Sequence, residues 1–151
     1  MAMPNWTKIK KNYLLIGFAC YMTVLIFVTL FTHNYYTYGR SSNLIIFSSV
    51  RLMLRSGSSA LILKNIVGNV LLFLPLGFLL PLIIRSKQGF AWQLLFGVLV
   101  SLAIELCQYL FAARIFDIDD ILLNTLGTVF GRLTLLIGRA VKQKLIFFYT
   151  H

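Results

Sequence analysis

Acidic residues are nearly missing from this chain: four in 151 residues, against fourteen lysines and arginines. Charged residues of either sign make up 12% of it and hydrophobic residues 59%, a balance too apolar for an ordinary soluble fold. For much of its length the solvent must be lipid. Histidine and cysteine are scarce too, two of each. His33 and His151 are isolated, and Cys20 and Cys107 fall in apolar runs where a free thiol acts as a small hydrophobe. These shortages exclude a Cys/His metal centre and a Ser-His-Asp catalytic set, and no phosphate-binding loop or dinucleotide fingerprint is present. The expectation is therefore no resident cofactor. Carboxylates and amide oxygens could bind Mg²⁺ or Ca²⁺ at the acidic cluster, but such ions need several convergent oxygens, which no spacing here specifies.

What is present is four long apolar runs. A helix needs roughly 20 apolar residues to cross a hydrocarbon core of about 30 Å, and residues 13–31, 66–84, 91–111 and 121–137 approach that length. The first follows Lys8, Lys10 and Lys11 like a signal peptide, yet it exceeds a usual signal core and no small-residue cleavage site follows. It reads as a retained helix. Gly17 stands where a lipidated Cys20 would need an aliphatic residue, which argues against lipidation. The connections near 85–90 and 112–120 are short enough to make successive spans antiparallel neighbours. The fold class expected is all-α: one membrane domain over residues 1–151, a bundle of about four transmembrane helices.

The one long connection, 32–64, is not uniformly polar. As a helix, Ile46, Phe47, Val50, Met53 and Leu54 share one face, and Ser48, Arg51 and Arg55 share the other. That profile predicts an interfacial helix within residues 44–55, ended by the break Ser56-Gly57-Ser58-Ser59. Placing both termini in the cytoplasm puts Lys8, Lys10, Lys11, Arg85, Lys87, Arg132, Arg139, Lys142 and Lys144 inside. Arg40, Arg51, Arg55, Lys64 and Arg114 are then outside, nine positives against five. The net charge of +10 points to anionic lipid headgroups as partners rather than nucleic acid.

All four acids, Glu105, Asp117, Asp119 and Asp120, lie within sixteen positions. Glu105 is about 9 Å inside the end of its span, with Gln108 on the same face. Asn69 and Asn124 lie roughly 5 Å inside the starts of spans two and four. Topology alone therefore brings Asn69, Glu105, Gln108 and Asn124 to the outer part of the bundle, with Arg114, Asp117 and Asp120 at the same end. Charges inside a span are costly and usually face a bundle interior or a watery cavity, which predicts a polar pocket. Simpler roles compete: Asp117 could cap the fourth helix, and the amides could be interhelical glue. Gly127-x-x-x-Gly131 permits close helix approach, and Gly68, Pro75 and Gly77 serve packing or a kink in span two. The first span carries no recognisable chemistry.

Two motifs resemble the VanZ-like family of membrane proteins, which is associated with teicoplanin resistance in bacteria. One is Asn69-Val70-x-x-Phe73-x-Pro75-x-Gly77. The other is Glu105-x-x-Gln108 followed by Arg114-x-x-Asp117-x-x-Asp120-Ile121-x-x-Asn124-x-x-Gly127-x-x-x-Gly131. Asn43-Leu44-x-x-Phe47 resembles a further family segment, with Ile46 where proline is expected. The resemblance implies a bacterial cytoplasmic-membrane protein acting on or near envelope components and lowering lipoglycopeptide susceptibility. It supplies no reaction. The expected role is binding of a headgroup or of a lipid-linked cell-wall precursor or lipoglycopeptide, with Arg114 on an anionic group. The rivals are a small membrane enzyme using Glu105 or Asp120 as acid or base, and a transporter, which four short helices could form only by oligomerising.

Overall fold

The computed structural model describes residues 6–31, 41–84, 89–112 and 114–150. Its elements in order are α1 (Trp6–Phe31), β1 (Ser42–Asn43), α2 (Ser48–Arg55) and α3 (Ser59–Leu61), then a π-helical stretch (Ile62–Val67), α4 (Gly68–Ile83), α5 (Phe90–Phe111), β2 (Phe116–Asp117) and α6 (Ile118–Thr150). Four helices are long and apolar enough to cross a membrane: Lys11–Phe31, Ser59–Ile83, Phe90–Phe111 and Ile118–Tyr149. The turn with Arg85 and Lys87 lies outside the described residues, as do Arg40 and the side chains of Lys8 and Lys10.

Two boundaries move from the hydropathy expectation, both because charge ends an apolar run without ending a helix. The second membrane helix starts at Ser59 and carries Lys64 and Asn65 within it. Gly57, at φ +65°, makes the turn before it, and the Ser58 hydroxyl accepts the Leu61 amide at 3.5 Å as a cap. The last helix runs on past Ile137 through Arg139, Lys142 and Lys144, since lysine and arginine are good helix formers. The helix expected within residues 44–55 is shorter than that range. Residues 45–47 form a turn instead, with the Ser48 amide on Ile45 O at 3.2 Å and Phe47 in the left-handed region at φ 61°.

α4 and α6 form the tightest contact of the bundle. A Cβ on Gly127 would strike the carbonyl oxygen of Val70, one on Gly131 that of Leu74, and one on Gly77 that of Thr128. The two backbones touch, which is what small residues permit in lipid. Gly68 differs from expectation: a Cβ there would meet Leu63 O at an ordinary 3.5 Å, so no neighbouring helix requires glycine. α1 lies on α4 and α5 through Leu25, which is buried with Phe73, Leu76 and Ile104, and through the Tyr21 hydroxyl, which donates to Leu72 O at 2.8 Å.

α4 continues through Pro75 and Pro81. Proline has no amide hydrogen, so Pro81 cannot donate to Gly77 O one turn earlier. Gln93 of α5 supplies the missing donor: its Nε2 reaches Gly77 O at 2.5 Å in a buried position. The two short strands pair in parallel, Ser42 with Phe116 and Asn43 with Asp117. They pin the loop after α1 to the segment joining α5 and α6.

Candidate functional site

The ends of α1 and α5 and the starts of α4 and α6 meet at one end of the bundle and enclose a cavity of about 120 Å³. Asn69, Glu105, Gln108, Arg114, Asp120 and Asn124 line it. These are six of the seven residues singled out by sequence position. The seventh, Asp117, is outside the wall and holds it from behind, its backbone amide donating to Glu105 Oε2 at 3.1 Å. Four contributions were not legible from the sequence. Lys64 and Asn65 reach the lining from the π-helical stretch, and α1 supplies Val28 and Thr29. The first span, expected to carry no chemistry, therefore forms part of the wall. The last carbonyls of a helix lack partners within it, and the one from Thr29 accepts both Gln108 Nε2 at 2.9 Å and Arg114 Nη1 at 3.3 Å.

The six polar wall residues singled out by sequence are each bonded to another element. Asn69 Nδ2 of α4 donates to Asp120 Oδ1 of α6 at 2.6 Å, and Asn124 Nδ2 of α6 donates to Ser101 Oγ of α5 at 2.9 Å. Glu105, Gln108 and Asn124 are buried, only 2%, 4% and 3% exposed. Asn124 Oδ1 has no hydrogen-bond partner although it is shielded from solvent. A buried polar oxygen left unpaired is uncommon and calls for a physical reason.

Asp117 and Asp119 act on the loop between α1 and α4. Asp119 is 1% exposed, and its carboxylate accepts three backbone amides at the start of α2: Phe47 at 2.6 Å, Ser49 at 2.9 Å and Val50 at 3.2 Å. It is a cap on another helix, where oriented amides and the helix dipole favour an anion. Asp117 caps its own helix, accepting the Asp119 amide at 3.0 Å, and also takes Asn43 Nδ2 at 3.1 Å and the Ser49 hydroxyl. Asn43 returns an acceptor to Ser48 Oγ at 2.7 Å and to the Ile45 amide at 3.3 Å. The acidic run thus divides by direction: Glu105 and Asp120 face the cavity, while Asp117 and Asp119 bind the loop above it.

Among the described residues no group of three or more His, Cys, Asp or Glu stands together as metal ligands. The cavity instead combines two carboxyl groups with amide oxygens, and it has two cations, Lys64 and Arg114, in its wall. Such a set can bind both ends of a dipolar group or exchange a proton between carboxyls.

These features define a class, a multi-pass helical membrane protein with a polar cavity where its helices converge at one membrane face. The VanZ/LLP1 family model matches residues 18–139, and the chain belongs to that family. It is 35% identical over 69 residues to Protein VanZ of Enterococcus faecium; that stretch is 45% of this chain and 42% of that protein. No solved structure gives a significant match.

Proposed function

We propose that this chain works in a bacterial cytoplasmic membrane with its cavity facing the cell exterior, where it binds the headgroup of an envelope lipid or lipid-linked precursor and lowers susceptibility to teicoplanin. The observation that carries this reading is the convergence of Asn69, Glu105, Gln108, Arg114, Asp120 and Asn124 on one cavity. A bundle needing only interhelical glue would scatter such bonds along its contacts. Arg114 holds an anionic group, and the carboxyl and amide side chains hold the remainder. The outward orientation is supported by the excess of lysine and arginine on the opposite face.

The test is single alanine replacement of Glu105, Arg114, Asp120 and Asn124, with teicoplanin susceptibility and membrane abundance measured together. Lost protection at unchanged abundance is expected. Loss of both in step would mean that these residues only hold the bundle together, and retained protection would remove the cavity from the function. The presence of two carboxyl groups in one cavity also favours a second reading, acid and base catalysis on a lipid-linked envelope precursor by Glu105 and Asp120. Incubating the purified protein with labelled precursors, with and without Mg²⁺, decides it; absence of any altered product sinks that reading.

A further inference from the structure

Resting on the headgroup site just proposed, we infer that the cavity takes a zwitterionic aminoalkyl phosphate, with the primary ammonium inward and the phosphate at the rim. The amide side chains carry the first part of the argument. Every lining amide turns its nitrogen toward the protein: Asn69 Nδ2 to Asp120, Gln108 Nε2 to Thr29 O, Asn124 Nδ2 to Ser101 and Asn65 Nδ2 to Leu61 O. The groups left for a ligand are oxygens. Asn124 shows this most clearly, since it is 3% exposed and its Oδ1 is unpaired. Glu105 commits Oε2 to the Asp117 amide and Asp120 commits Oδ1 to Asn69, so each carboxyl group has a second oxygen to offer.

Acceptors converging from three directions suit a ligand that is all donor. A primary ammonium presents three N–H groups and no acceptor, whereas a trimethylated ammonium presents none. A bare divalent cation fits less well, because Lys64 and Arg114 share the same wall. Those cations also lie nearer the membrane face. Lys64 precedes Asn69 by five residues on its helix, which places it about 7 Å nearer that face. A two-carbon link between ammonium and phosphate spans a distance of that order. Arg114 commits Nη1 to Thr29 O and keeps further guanidinium donors, which suit phosphate oxygens. The cavity volume, about 120 Å³, is below the several hundred Å³ of a drug-sized pocket and fits a small headgroup rather than a saccharide.

The experiment reads lipid retention on the full chain by native mass spectrometry. The protein is released from nanodiscs holding equal phosphatidylethanolamine, phosphatidylcholine and phosphatidylglycerol. Phosphatidylethanolamine should be retained about tenfold over phosphatidylcholine, since only it can give charge-assisted N–H bonds to the acceptors. Glu105→Gln, which keeps the size and the bond from the Asp117 amide, should collapse that ratio toward one. Arg114→Gln should lower retention of both lipids alike and leave the ratio in place. A free phosphoethanolamine arm and a Mg²⁺-only arm separate a soluble ligand and a cation from the lipid. Equal retention of ethanolamine and choline lipids overturns the inference. So does phosphatidylglycerol retained best and lost with Arg114→Gln, although the headgroup site then survives. Mg²⁺ binding abolished by Glu105→Gln, with no lipid preference, also overturns it. No lipid retained in any arm sinks the headgroup site and the inference together.

Discussion

Replacing Asp119 with alanine should release α2 from the bundle without disturbing the transmembrane helices. Its carboxylate is the acceptor for the amides of Phe47, Ser49 and Val50, and it also holds Phe47 in a left-handed conformation at φ 61°. A net hydrogen bond contributes about 1 kcal/mol, and an anion at a helix start adds about 0.3–1 kcal/mol. The left-handed Phe47 opposes this by roughly 1–2 kcal/mol, which is recovered when the turn relaxes. The balance is about 2 kcal/mol, or roughly 30-fold in the ratio of docked to undocked loop at 1.36 kcal/mol per decade. Amide hydrogen exchange of the protein in nanodiscs measures it directly. Amides of residues 47–55 should exchange about 30-fold faster in Asp119→Ala, while α4 and α6 stay as protected as before. Unchanged exchange at α2 would refute the clamp. A uniform rise through α4 and α6 would refute the claim that the clamp serves the loop alone.

Four further outcomes follow from the helix contacts. Gly131→Ala places a Cβ against Leu74 O and should cost about 1–3 kcal/mol of overpacking, seen as a lower melting temperature in detergent. Gly138→Ala meets no atom within 4 Å and should hold or raise that temperature, since alanine is the better helix former. Gln93→Leu leaves Gly77 O unpaired and should cost about 1–2 kcal/mol, a loss that shrinks in a Pro81→Ala background where the helix regains its own donor. The combined variant costing as much as the sum of the singles would remove that explanation. Tyr21→Phe should cost about 1 kcal/mol by freeing α1 from Leu72 O, read by the same melting assay; an unchanged temperature would count against that tie.

The part of the site that could be read from sequence was the part written in isolated polar side chains against an apolar background. Glu105, Gln108, Asn69 and Asn124 announce their depth because helical rise converts position into distance. What escaped that reading lies in the backbone or in direction. The Thr29 carbonyl has no side-chain signature, and Lys64 and Asn65 turn into the lining from a π-helical stretch that hydropathy does not encode. Asp119 was legible as one of four clustered acids but not as the cap of α2, 69 to 72 positions earlier in the chain. Gln93 did leave a signal: a buried amide in one span is the natural partner for the carbonyl that a proline strands in the next, here Gly77 O below Pro81.

Structural glue and a binding site are usually offered as alternatives for polar residues in a membrane bundle, but here one amide can do both at once. Asn124 joins α6 to α5 through its nitrogen and is left with an unpaired buried oxygen. The nitrogen holds the helix contact and the oxygen is the atom left for a ligand. Asn69 works the same way between α4 and α6: its nitrogen holds Asp120 and thereby sets which carboxylate oxygen is engaged. Glu105 is oriented from behind by the Asp117 amide, and Asp117 is itself held by the loop through Asn43 and Ser49. The loop, Asp117 and Glu105 therefore form one chain of hydrogen bonds, with the Asn69–Asp120 and Asn124–Ser101 contacts beside it. An isosteric change at its cavity end, Glu105→Gln, should alter binding while sparing the fold. A change at its loop end should loosen the wall first and binding only as a consequence.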